Sequence, residues 1–152
     1  MVSVAKLRRL AFRDWLALAT AGKELLRARI QFAIVPTGRI INRLKDAPQD
    51  GADAARPCNA ARVSWAISAV AARVPWRADC LLRAMAADRW LRRCGERPQF
   101  FLGVAKDGEA FSAHAWLRCH GATVTGGDGA EYTEIVTPAG PLMSAEKDRG
   151  SD

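Results

Sequence analysis

The sequence has no long apolar stretch. No run reaches the roughly 18 apolar residues that a membrane-spanning helix needs, so we expect no transmembrane segment. The uncharged run at residues 15–22 is short and follows Arg8, Arg9, Arg13 and Asp14 without a clear cleavage pattern, which is not typical of a secretory signal peptide. We therefore expect the protein to be cytoplasmic.

Closely spaced cysteine pairs are also missing. Structural zinc sites normally contain C-x-x-C pairs or similar, so we expect no metal site built from these cysteines with His114 or His120, and no cofactor. The wide spacing also argues against a disulfide scaffold. The cysteines are Cys58, Cys80, Cys94 and Cys119.

Acidic residues are scarce at the start of the chain. Residues 1–45 hold ten lysines and arginines against Asp14 and Glu24, a balance of +8 within a net charge of +7. This segment favours an anionic partner, such as an acidic peptide, an acidic protein face or a membrane surface. No nucleic-acid-binding motif accompanies it, so we expect no nucleic acid partner. A solvated basic helix face is the alternative.

The hydrophobic pattern divides the chain into an arm, a linker, a main body and a tail. An apolar stripe at helical spacing predicts one long or two consecutive amphipathic helices over residues 4–35, within a basic helical arm at residues 1–45. Small polar residues and two prolines predict a mobile linker at residues 46–57. Residues 58–137 form the main body, and residues 138–152 have too little apolar surface to pack, which predicts a disordered tail.

Within the main body the pattern changes from helical to extended. Apolar spacings of four, three and four over residues 63–74 predict a helix that packs against a second helix beginning at Cys80. After Gly95, apolar runs separated by short turns predict an antiparallel meander. Helices followed by such a sheet define an α+β fold. The predicted strands cover residues 100–105, 110–119, 122–125 and 132–136.

Cys80 is the strongest candidate for a nucleophile. Pro75 ends the preceding helix, and helical apolar spacing continues from Cys80 until Gly95, so Cys80 lies at the start of a helix. Unpaired backbone N–H groups and the positive end of the helix dipole favour the thiolate at such a position. A buried structural cysteine is the alternative, because free cysteine is among the most buried residue types.

A thiolate nucleophile needs a base, and His114 is the candidate. Its strand can lie across the N-terminus of the Cys80 helix, where the imidazole would accept the thiol proton and later deliver it to the leaving amine. A third residue should hold the ring by its other nitrogen. Asp128 is the nearest carboxylate for this role and Glu131 is the fallback. Trp116, on the same face as His114, either walls a substrate cleft or is purely structural.

Five blocks of sequence, with the basic arm ahead of them, point to a family. They are PWRADCLLRA, WLRRCG, FFLGVAKDG, FSAHAWLRC and VTGG, within residues 60–136. In this order they closely resemble the transglutaminase-like leader peptidases of lasso-peptide biosynthesis. The resemblance implies a papain- or transglutaminase-like domain with Cys80 as nucleophile, His114 as base and an acidic third residue in the loop after the next strand. In that loop of this chain, glycines occupy positions 126 and 127, and Asp128 is the only aspartate.

The resemblance also implies an activity and partners. The expected activity is that of a cysteine peptidase that cuts the leader from a lasso-peptide precursor and frees the core amine for macrolactam formation. The expected partners are the precursor peptide, a separate leader-binding recognition protein and an ATP-dependent macrolactam synthetase. The basic arm is the expected docking surface for a partner or a membrane. A related cysteine-dependent acyltransferase and a non-catalytic precursor-binding scaffold are the alternatives.

Overall fold

Helices precede strands along the chain. The computed structural model describes residues 11–46, 59–107, 110–127, 129–137 and 140–141. The order of helices followed by an antiparallel sheet confirms the predicted α+β fold. The helices are α1 (Phe12–Ile34), α2 (Thr37–Lys45), α3 (Ala60–Ala71) and α4 (Cys80–Arg93), and the strands are β1 (Gln99–Asp107), β2 (Ala110–Cys119), β3 (Ala122–Thr125), β4 (Thr133–Thr137) and β5 (Gly140–Pro141).

The long helix α1 belongs to the same hydrophobic core as the helices that follow. Its inner face carries small residues and one leucine, which are buried against α3 and α4. Small side chains allow the helix backbones to approach closely, so α1 is packed along much of its length. These inner residues are Ala17, Ala21, Leu25 and Ala28.

A buried carboxylate also connects α1 to α4. Glu24 is fully buried in α1 and accepts a hydrogen bond from the guanidinium of Arg93, at the end of α4. Arg27 donates to the same oxygen at 3.4 Å. A carboxylate removed from water in this way requires partners, and the two arginines supply them at Oε1, whereas Oε2 is buried without a hydrogen bond.

Both ends of α4 are defined by local hydrogen bonds. At its start, the side chain of Asp79 accepts a hydrogen bond from the Leu82 N–H at 3.1 Å. At its end, Gly95 adopts a left-handed φ of 82°, and the Glu96 N–H donates to the Leu91 carbonyl at 3.0 Å. This pairing is a Schellman motif, in which glycine is favoured because it has no Cβ. The predicted stop at Gly95 is confirmed.

The sheet is antiparallel, with the strand order β3-β2-β1-β4-β5. Asp107 pairs with Ala110, so β1 and β2 form the predicted hairpin. The first three strands match their predictions closely because each predicted apolar run ends at a turn signal. β4 begins and ends one residue later than predicted.

The side chains of β2 alternate between two buried environments. Ala115, Leu117 and Cys119 join the core that the sheet shares with the helices. Strand alternation places Trp116 on the other face, where its ring stacks on Phe101 with centroids 5.7 Å apart. The sheet therefore has an apolar layer on both faces.

Parts of the predicted arm, linker and tail lie outside the described residues, as does Asp128.

Cys94 is disulfide-bonded, which the wide cysteine spacing did not predict, while Cys80 and Cys119 are free thiols. Among the described residues, no helix combines the length and apolar character that crossing a bilayer requires.

Candidate active site

Cys80 is the first residue of α4, as predicted. Its side chain is partly buried and packs at the border of the hydrophobic core, and its thiol is free. Asp79 occupies the capping position and bonds the Leu82 N–H, so this carboxylate has a structural role. Among the described residues, the N–H groups of Cys80 and Leu81 have no acceptor. They are available to a negatively charged group.

His114 lies on β2 and is held through one ring nitrogen. Its Nε2 is 2.5 Å from the carbonyl oxygen of Gly126, which lies just after β3. A carbonyl oxygen only accepts, so Nε2 carries the proton in this contact. In the neutral ring, Nδ1 is then left with a lone pair. The geometry therefore leaves Nδ1 as the basic nitrogen.

Two aromatic rings fix the plane of the imidazole. The His114 ring stacks on Tyr132 with centroids 4.9 Å apart, and the Trp116 ring lies 6.2 Å away on the same strand face. Trp116 is fully buried. It therefore has the structural role that the sequence left open, and it supports the histidine without walling a cleft.

Glycines make room for Trp116. A Cβ on Gly103 would lie 3.0 Å from the indole, one on Gly126 would lie 2.7 Å from the Trp116 Cβ, and one on Gly129 would lie 2.6 Å from the indole. These separations are shorter than a normal carbon contact. The strand and loop backbones thus approach the indole as closely as they do because all three residues lack a side chain.

No described carboxylate hydrogen-bonds the His114 ring. Glu131 is exposed and makes no such contact. Asp128 lies outside the described residues, so its role as third residue stays a prediction. Within the described chain, the Gly126 carbonyl is the group that hydrogen-bonds the His114 ring.

Cys80 and His114 lie on elements that pack together. α4 contacts β2. Strand alternation places His114 on the face of β2 opposite the core that Cys80 borders. No hydrogen bond joins the Cys80 Sγ to the His114 ring among the described residues. The approach of thiol and imidazole stays a prediction; in enzymes without substrate such bonds are often long and tighten only when substrate binds.

Sequence reasoning missed Tyr132 and the Gly126 carbonyl. Tyr132 is the single tyrosine of the chain. Its position after a glycine-rich loop was a usable signal, because a loop without side chains can fold back over a strand. A backbone carbonyl has no signal in the sequence, since every residue carries one.

In this chain a helix begins at a free cysteine and packs on an antiparallel sheet that carries a histidine. A comparison with known protein families agrees with this arrangement. The profile of the Transglutaminase-like superfamily matches residues 22–137, and the chain belongs to this superfamily. Neither the search of curated proteins nor the search of solved structures found a match. Membership supports a cysteine-dependent activity of the protease or acyltransferase type.

Proposed function

We propose that this protein is a cysteine peptidase that cleaves the leader from a lasso-peptide precursor, with Cys80 as nucleophile and His114 as base. The observation that carries the proposal is the free Cys80 thiol at the N-terminus of α4 in a transglutaminase-like domain. The sequence blocks around Cys80 and His114 support the finer assignment to leader cleavage, because they resemble that family of peptidases.

The proposed reaction begins with proton transfer. Nδ1 of His114 takes the Cys80 proton, and the sulfur attacks the carbonyl carbon that joins leader to core. The C–N bond then breaks as His114 returns the proton to the core amine, which leaves the leader as a thioester on Cys80. Water hydrolyses this thioester, and the leader departs with a carboxylate.

The remaining groups stabilise this sequence of steps. The Cys80 N–H is positioned to donate to the oxyanion, a contribution typically worth about 3 kcal/mol in enzymes of this type. The Gly126 carbonyl and the Tyr132 ring hold the imidazole. Rotation of the ring would remove Nδ1 from the reaction, so both contacts act as positioning groups.

The proposal includes two partner proteins, a leader-binding recognition protein and an ATP-dependent macrolactam synthetase that uses the freed amine. Capture of the leader by a separate protein raises its effective concentration at Cys80. The outer face of α1 is a candidate docking surface for a partner because large apolar side chains are exposed along it. These side chains are Phe12, Leu16, Leu26, Ile30 and Ile34.

The test is cleavage of a candidate precursor in the presence of a leader-binding protein, followed by mass spectrometry. We expect Cys80→Ser to abolish product and His114→Ala to lower the rate by about 10²–10⁴-fold. His120→Asn is the matched control, since it replaces the other histidine at an exposed turn. It should cleave at the wild-type rate.

The products separate the proposal from its alternatives. A leader with a free carboxylate supports hydrolysis, whereas a leader joined to a second amine identifies an acyltransferase. Full precursor maturation by Cys80→Ala would identify a scaffold and overturn the peptidase assignment.

A further inference from the structure

Three potential metal ligands meet where α4 ends and β2 turns into β3. They are Glu96, just after α4, Cys119, the last residue of β2, and His120, in the following turn. One ligand atom from each lies within 4.8 Å of the other two. Residues from separate parts of the chain therefore converge on one point.

Two of these ligands are held firmly in place. Glu96 is buried, and its N–H completes the Schellman motif of α4. Cys119 is 1% exposed, and its Sγ lies 4.0 Å from Oε2 of Glu96. The thiol donates a long hydrogen bond to this carboxylate oxygen.

The third ligand is free to adjust. The His120 side chain is 74% exposed, and its Nε2 contacts the Glu96 carboxylate. Its φ of 51°, followed by 76° at Gly121, is that of a two-residue hairpin turn. An exposed ring at a hairpin turn can move outward by the small distance that an ion needs between imidazole and carboxylate.

We propose that Glu96, Cys119 and His120 bind a zinc ion. Thiolate, imidazole and carboxylate are the ligands that Zn²⁺ takes in proteins, at about 2.3 Å for sulfur and about 2.0–2.2 Å for nitrogen and oxygen. On binding, the Cys119 thiol releases its proton to solvent, and water takes the fourth tetrahedral position on the exposed side of His120.

Zinc binding at Cys119 requires loss of the thiol proton, because the thiolate and not the thiol is the metal ligand. Burial, and then the nearby Glu96 carboxylate, raise the pKa of Cys119. A metal that binds here therefore has to displace a proton, which is the ordinary behaviour of cysteine ligands.

The proposed zinc site is separate from Cys80 and His114. Cys80 lies at the opposite end of α4, a helix of 14 residues and so about 20 Å long. Cys119 projects into the helix-facing core, whereas strand alternation places His114 on the other face of β2. A zinc ion here would join the end of α4 to the β2–β3 turn, at a distance from Cys80 and on the other face of the sheet from His114.

The test uses zinc alone, with the full-length protein dialysed against Zn²⁺ and its metal content measured. We expect one zinc per chain. Replacement by Co²⁺ should produce the visible bands of a tetrahedral ion and a thiolate-to-cobalt charge-transfer band. At a zinc concentration about 100-fold above the dissociation constant, we expect the Tm to rise by about 5–10 °C.

Two variants and a control assign the ligands. Cys119→Ser should remove the charge-transfer band. His120→Asn should weaken zinc binding by at least about tenfold without loss of fold, because asparagine tolerates a positive φ and Asn-Gly suits this turn. Cys80→Ser removes the other free thiol of the described residues and should leave zinc binding unchanged.

Several results would overturn the proposal. Absence of zinc after dialysis is one, and persistence of the charge-transfer band in Cys119→Ser is another. Equal zinc affinity in His120→Asn and wild type would exclude the histidine as a ligand and leave only its contact with the Glu96 carboxylate.

Discussion

At the scale of single residues, the sequence reveals the candidate base His114 more readily than the groups around its ring. The base itself is recognisable from the sequence, since few histidines are present and this one lies in the AHAW strand. Its hydrogen-bond partner is not, because the contact uses the Gly126 carbonyl and no side chain. Among the described residues, the Gly126 carbonyl is the group that contacts Nε2, and the role of Asp128 stays a prediction.

This difference gives a test with two variants. If the Gly126 carbonyl orients the ring, Asp128→Asn and Glu131→Gln should each keep kcat within about tenfold of wild type. A triad that depends on a carboxylate loses about 10⁴-fold when that carboxylate becomes an amide, because the ring adopts the wrong tautomer. Single-turnover cleavage by both variants measures the difference. A loss of that size in Asp128→Asn would make Asp128 the third catalytic residue.

At the scale of elements, the sequence predicts where strands lie better than how their faces are covered. Apolar runs between turn residues determine the strand bounds. The close packing of loop and strand around Trp116 depends on Gly103, Gly126 and Gly129, which are distant from one another in sequence. Glycine-rich loops have many conformations, so the residues alone do not predict which strand the loop contacts.

Two adjacent glycines provide a matched comparison in this loop. Gly126 and Gly127 have positive φ values of 85° and 70°, but only a Cβ on Gly126 would meet other atoms, at 2.4 Å from the Ala115 carbonyl oxygen. Gly127→Ala should cost about 1–2 kcal/mol from its backbone conformation alone, or about 2–8 °C in Tm.

Gly126→Ala should cost more and should also impair cleavage. The new Cβ would overlap the Ala115 carbonyl oxygen and the Trp116 Cβ, so the loop has to move away from β2. The same loop carries the Gly126 carbonyl that bonds His114. Thermal unfolding and cleavage of a precursor measure the two effects. Equal Tm and equal activity in the two variants would show that the loop is not held against Trp116.

At the scale of the whole molecule, buried charges couple the stability of the fold to pH. Burial raises the pKa of Asp88 in α4 to about 6, although Arg92, with its Nε 2.9 Å away, lowers it. The folded protein therefore holds this proton more tightly than the unfolded chain does, so Asp88 contributes most stability below about pH 4. That contribution is lost as pH rises through about 6.

Asp88→Asn removes this titration. The free energy of unfolding of the variant minus that of wild type should increase by about 2–3 kcal/mol between pH 4 and pH 7. Urea unfolding at both pH values measures the change. A difference that stays constant with pH for Asp88→Asn would contradict the assignment.

The burial of α1 has a consequence for synthesis of the protein. Its inner face is covered by α3 and α4, and Glu24 meets Arg93 across 69 residues of sequence. Until the ribosome has made α3 and α4, the inner apolar face of α1 has no partner to pack against. The nascent chain can therefore aggregate through this face until α4 has emerged. A truncation that removes α1 would also remove part of the hydrophobic core.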